Sequence, residues 1–358
     1  MLPFIFLTVA ACVAAAATVP DRDAVPAVNN NAHLLPKQAN GLPKTFKWTS
    51  TGPLIGPKND SRNLAALKDP SVVEVNGTYH VFASTAQASG YNLVYLNFTD
   101  FAKAGDAPLY YLDQTPIGTG YRAAPEVFFF APQKLWYLIY QNGNAAYSTN
   151  PNINNPAGWT APKTFYPSQP KIIADNIEGG YWVDMWVICD AAKCYLFSSD
   201  DNGRLYRSET SLASFPNGMT NTVIALSDPV KYNVFEASCV YTIAGGAKPL
   251  YLLLVEAIGA NNTRYFRSWT SPSIAGNWTS LADTEANPFA GASNVAFKGE
   301  AWTRSISHGE LIRNSRGIDQ TLTIEPTKLR FLYQGIDPTA DTTYNALPWR
   351  LALITQTN

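Results

Sequence analysis

From about residue 41 onward, apolar residues fall in short runs broken by Gly, Pro and Asn. The runs YHVFAST, VFFFAP, LWYLIY, MWVIC, YLFSS, YLLLV and FLYQG are rich in Val, Tyr, Phe and Trp. Each is strand-length, and polar turn residues bound it. Apolar spacing at the helical period is nearly absent. The pattern predicts an all-β chain.

A long all-β chain with evenly spaced strands invites a search for repeats. Five segments share one plan: an acidic residue, an apolar strand, a turn and a second, aromatic strand. They open at Asp69, Glu126, Asp184, Glu236 and Glu310, spaced 57, 58, 52 and 74 residues apart. About sixty residues suffices for a four-stranded sheet with its connections, so the chain is expected to form a five-bladed β-propeller. The longer last interval contains residues 287–301, which read as loop. In a propeller the first strand of each blade lines the central channel. Acidic residues opening those strands would bring several carboxylates to one mouth. The plain alternative is that each sits in solvent at a strand end, which is harder to hold for five in register.

Residues 1–17 form an uncharged apolar run with a small-x-small pattern at Ala15 and Ala17, read as a secretory signal peptide. The Pro- and Asn-rich stretch 18–40 reads as a leader or propeptide. The catalytic domain is expected over 41–358, secreted and monomeric. A net charge of −1 argues against a nucleic-acid partner and gives no reason to expect a membrane surface. No later segment is long and apolar enough to span a bilayer. With 46% hydrophobic and 13% aromatic residues, the chain can build a large core. Cys12 would leave with the signal. Cys189 and Cys194 flank a short polar stretch, so a hairpin can join them as a disulfide, with Cys239 left as a buried thiol. Sequons begin at Asn59, Asn76, Asn97, Asn261 and Asn277 and mark candidate glycosylation sites in an exported chain.

Glycosidic bonds are commonly cut by two carboxyl groups, one protonating the leaving oxygen and one activating water or attacking the sugar. A third carboxylate near the acid favours its protonated form. Asp69, Asp184 and Glu236 suit this set. Asp184 lies between two tryptophans in YWVDMW, and small residues follow Glu236.

At these residues the chain resembles glycoside hydrolase family 62, the arabinoxylan arabinofuranosidases. The matching stretches run in order from FKWTSTGPL through ALKDPS, YRAAPEVFFFAPQKLWYLIYQ, DNGRLYRS, FEASCVY, LVEAIG, RYFRSWT, ISHGELIR and FLYQGIDP to YNALPWRLALITQ. The resemblance implies a five-bladed propeller and an inverting α-L-arabinofuranosidase that removes side chains from arabinoxylan or arabino-oligosaccharides. It implies Asp69 as general base, Glu236 as general acid and Asp184 as the carboxylate that tunes the acid and orients the arabinose. Lys68, Arg264 and Tyr344 would bind substrate. His308 would help to hold a structural calcium ion, largely through water. Without the resemblance, His308 reads as a hydrogen-bonded channel residue. Position 126 is Glu where the family carries Gln, and position 142 is Asn where it carries Trp. No cysteine stands near Thr327, which leaves no disulfide between the chain ends. Competing readings are a related five-bladed arabinanase or β-xylosidase, and a sugar-binding propeller without catalysis.

Overall fold

The computed structural model describes residues 41–358. The expected signal peptide, its Cys12 and the leader to residue 40 lie outside the described residues. Five antiparallel sheets of at least four strands each follow one another along the chain. Their inner strands are Ala66–Val75 in blade 1, Ala123–Phe130 in blade 2, Val183–Cys189 in blade 3, Glu236–Ile243 in blade 4 and Ser307–Leu311 in blade 5. Neighbouring inner strands touch in a closed cycle from blade 1 through blade 5 and back to blade 1. The expected five-bladed propeller is therefore what the chain forms.

The ring is closed by the chain's two ends. Trp48–Ser50 forms the fourth strand of blade 5, antiparallel to Arg350–Gln356. Residues 287–301 are more than loop. Asn287–Pro288 extends blade 4, and Val295–Phe297 pairs parallel with Trp48–Ser50.

Each inner strand is broken by an irregularity near its start, between Lys68 and Ser71, Ala123 and Glu126, Val183 and Trp186, Glu236 and Cys239, and Ser307 and Gly309. In four of them one residue is left-handed: Asp69 at φ 49°, Ala124 at 50°, Asp184 at 57° and Ala237 at 54°. Such conformations are strained for L-residues and must be held from outside the strand. The next blade position is held by side chains of its neighbour. The backbone N–H of Asp69 donates to Gln334 of blade 5 (2.7 Å), that of Ala124 to Ser84 of blade 1 (2.8 Å) and that of Asp184 to Gln141 of blade 2 (2.7 Å). Ala237 donates to Asp184 Oδ2 (2.7 Å), and His308 to Glu256 of blade 4 (2.6 Å).

The bulges correct the expected register of the acidic residues. Asp69 and Asp184 occupy the bulge, Glu236 stands one residue before it, and Glu126 and Glu310 lie beyond it, inside the ring. Glu126 accepts the Val187 N–H at 2.6 Å, and Glu310 accepts the Val72 N–H at 3.1 Å and pairs with Arg313. Three more contacts complete a second ring: Val127 N–H to Ser71, Trp186 Nε1 to the Val240 carbonyl, and Leu311 N–H to Tyr241. Burial pushes the Glu126 carboxyl well up, opposed by the Val187 amide and by Arg313. Gly309 fits because a Cβ there would run into the Leu332 carbonyl and the Phe331 ring.

The segment between the first two strands of blade 5 floors the channel. It accepts amides from four inner strands in turn: Glu74 to Arg313, Phe129 to Ile318, Cys189 to Gln320 and Thr242 to Leu322. Unpaired backbone at the bottom of the ring is thereby satisfied. Cys189 and Cys194 are bonded across their hairpin, and Cys239 is a buried free thiol, as expected.

Candidate active site

At the opposite end of the ring lies a cavity of about 380 Å³. Lys68, Asp69, Asp184, Glu236, His308 and Tyr344 all line it. The inner-strand bulges create it, because they turn Asp69 and Asp184 out of the strand and into the mouth. Tyr344 is 54% exposed and stands between this cavity and a neighbouring groove of about 490 Å³. Arg264 lines the groove and reaches the cavity through Glu236.

Asp69 and Asp184 face each other across His308. The imidazole Nδ1 lies 3.4 Å from Asp69 Oδ1 and 3.7 Å from Asp184 Oδ2. Burial disfavours the charge on Asp69, yet Lys68, His308 and the Ser84 hydroxyl outweigh it, and its pKa falls below the ordinary value. Asp184 goes the other way. Burial, then repulsion from Glu236 and Asp69, outweighs His308 and pushes it up to about 7. Burial works against the imidazolium of His308, but Asp184, Asp69, Glu256 and Glu236 together raise its pKa.

Lys68 is buried with its ammonium 5.0 Å from the centroid of Tyr344, 5.1 Å from that of Tyr91 and 3.9 Å from Asp69. Two aromatic faces and one carboxylate replace its lost hydration. Burial opposes its charge, but Asp69, Tyr344 and Tyr91 raise its pKa overall. Arg264 Nη1 lies 2.7 Å from both Glu236 Oε1 and Glu256 Oε1. This arginine is thus held by the expected acid and by Glu256 rather than by open solvent. Glu256 also accepts the Ser307 hydroxyl and the His308 amide, so it fixes two functional groups at once.

The chain belongs to glycosyl hydrolase family 62. The profile of that family matches residues 47–355. The catalytic domain of a Coprinopsis cinerea family 62 α-L-arabinofuranosidase is 66% identical, with a TM-score of 0.86, covering 88% of this chain and 98% of that one. A Podospora anserina α-L-arabinofuranosidase, solved in complex with cellotriose, is 64% identical with a TM-score of 0.86 over 88% of this chain and 98% of its own. α-L-Arabinofuranosidase C of Cellvibrio japonicus (strain Ueda107) is 43% identical over 321 residues, 89% of this chain. The family 62 chain spans 48% of the length of that relative.

All the site residues expected from the family 62 resemblance meet at this mouth, Arg264 from the groove side. Several neighbours were not foreseen. Glu256 is the one charged residue in the apolar strand Tyr251–Ile258, and a lone carboxylate in such a run was the available signal. Gln141 and Gln334 each end a Tyr-Gln pair on the second strand of a blade, a recurrence that passes easily for strand polarity. Tyr91, Tyr121, Tyr181 and Asp201 also line the cavity; Tyr121 opens the matching stretch YRAAPEV and Asp201 the stretch DNGRLYRS, yet neither was singled out as a site residue. Asn142 turns its side chain onto its own turn, accepting the Asn144 amide at 3.2 Å. The asparagines of all five sequons are exposed.

Proposed function

We propose that the protein is an inverting α-L-arabinofuranosidase that removes arabinofuranosyl side chains from arabinoxylan outside the cell. The observation that carries this reading is the division of labour among carboxyl groups in one cavity. Asp69 is held ionised beside Lys68, as a base must be. Asp184, by contrast, is pushed up to about 7 by burial and then by repulsion from Glu236 and Asp69, so the two aspartates of one cavity differ in charge.

In the proposed reaction Asp69 takes a proton from water as that water attacks the anomeric carbon. Glu236 gives its proton to the glycosidic oxygen on the opposite face, and the released arabinose has inverted configuration. His308 keeps the two aspartates apart and partly neutralised. Glu256 remains as partner to Arg264 while Glu236 carries its proton, which keeps the guanidinium anchored beside the sugar. Tyr344 and the buried Lys68 form one wall. NMR of products from arabinoxylan tests the reading directly. Free arabinose, first seen as the inverted anomer, is expected; retained configuration removes the base role of Asp69. Release of xylose or of arabinan fragments instead would favour the β-xylosidase or arabinanase reading.

A calcium ion would be reached through water here. His308 and the two aspartates do not themselves form a direct cage, and among the described residues no cluster of three or more His, Cys, Asp or Glu is placed to hold a metal. Calcium favours oxygen ligands, water included. Its proposed role is structural, so chelation should lower Tm more than it lowers kcat. Export through residues 1–17 and glycosylation at the exposed sequons belong to the same reading, and mass spectrometry of the secreted protein checks both.

A further inference from the structure

We propose that Asp201 is a substrate-binding residue of this cavity, hydrogen-bonding a hydroxyl of the sugar that carries the arabinosyl group. The proposal rests on the arabinofuranosidase reading. Asp201 sits in the turn between the second and third strands of blade 3, and its side chain lines the cavity with Asp184 and Glu236. Its Oδ1 is buried and has no hydrogen-bond partner. A buried polar atom of this kind calls for a partner that arrives later.

The turn itself does not need this side chain. Asp200 does the local work: its Oδ1 accepts the amides of Asn202 and Arg204, and its Oδ2 accepts the Tyr206 hydroxyl. Asp201 is also left-handed at φ 55°, a conformation that glycine would adopt with less strain. A carboxyl thus stands where the backbone favours no side chain and the turn makes no use of one. A ligand contact accounts for both features.

The surroundings give the side of the cavity. The strongest charges acting on Asp201 are those of Glu236 and Asp184, followed by Arg264 and Asp200. Asp201 therefore stands beside the proposed acid, in the cavity that both line. That side faces the leaving group. Burial, then Glu236 and Asp184, pushes Asp201 up to about 9, so it is neutral in the working range and can donate.

Two variants and two substrates test this. Asp201→Gly suits the backbone and removes the contact; Asp201→Asn keeps a neutral donor of the same shape. Arabinose release is measured from arabinoxylan oligosaccharides and from an aryl α-L-arabinofuranoside, whose leaving group offers no matching hydroxyl. Asp201→Gly should lower kcat/KM about tenfold on the oligosaccharide and about twofold or less on the aryl substrate, and Asp201→Asn should recover most of the loss. Calorimetric affinity for a xylo-oligosaccharide should fall about tenfold in Asp201→Gly. Tm should not fall. Equal effects on both substrates, no effect on either, or an Asn variant as impaired as the Gly variant would overturn the proposal. Unchanged xylo-oligosaccharide affinity would overturn the contact even if the wild type proved to act on another glycan, and a wild type that releases no arabinose would point to the broader reading as the fault.

Discussion

The openings of the inner strands of blades 1 and 3 are built alike and behave in opposite ways. Both place an aspartate at the bulge, at φ 49° and 57°. Both donate the aspartate amide to a glutamine of the preceding blade at 2.7 Å. Both aspartates face the same imidazole nitrogen. Yet Asp69 is held below the ordinary carboxyl range and Asp184 is pushed up to about 7. The residue one step earlier accounts for much of this: Lys68 in blade 1, Val183 in blade 3. A repeated backbone thus supplies two carboxyl positions, and the neighbouring charge decides which one can serve as a base.

The largest test of this contrast removes each carboxylate in turn. Asp69→Asn should cost about a thousandfold or more in kcat, and Asp184→Asn about a hundredfold, both with the fold intact. The Asp184 variant also reads out in stability. A carboxyl raised in the fold contributes stability at low pH that is lost as pH rises through its folded value. For Asp184 that loss runs from about its ordinary 3.8 to about 7. Asp184→Asn should flatten this part of the Tm–pH curve. Equal turnover in Asp184→Asn and wild type would reduce Asp184 to an anchor for the Ala237 amide.

Lys68→Met should make Asp69 more like Asp184. With the ammonium gone, burial is less opposed and the pKa of Asp69 rises. The acid limb of kcat/KM against pH should then move to higher pH, with a loss of about tenfold near the original optimum. An unmoved limb would show that His308 and Ser84 suffice to hold the charge.

Smaller effects are expected where the two openings are the same. Gln334→Ala and Gln141→Ala each leave one buried aspartate amide without its acceptor, costing about 1–3 kcal/mol in chemical denaturation. The two losses should be similar, with lower kcat in both. A large inequality would mean that the shared geometry is not shared energetically. The smallest effect concerns the disulfide in blade 3. Its loop is short, with a sequence separation of 5, so Cys189→Ala with Cys194→Ala should cost less than about 3 kcal/mol and leave kcat unchanged.

Much of this was readable from the chain. Strand runs of Val, Tyr, Phe and Trp, broken by turns, are local signals, and their recurrence counted the blades. The residues Asp69, Asp184 and Glu236 could be singled out because each opens a blade's inner strand in a recognisable stretch. The register of the acidic residues was not readable. Glu126 and Glu310 look equivalent to Asp69 in the repeat, yet they stand past the bulge and hold the ring together. Which way a side chain points after a bulge depends on the amide acceptor that the adjoining blade supplies, and that acceptor is some 40 residues or more away in every case.

The amino-acid sequence by itself determined the all-β class, the number of blades, the hairpin that joins Cys189 to Cys194 and the family to which the chain belongs. These follow from short-range alternation, turn chemistry and ordered motifs. Only the tertiary structure decided which carboxyls reach the mouth, that Arg264 rests on Glu236 and Glu256, and that Asp201 keeps an unpartnered oxygen there. It also decided the opposite titration of Asp69 and Asp184. Burial and charge depend on distances through space, and the closure of five blades brings together residues as far apart as Lys68 and Tyr344.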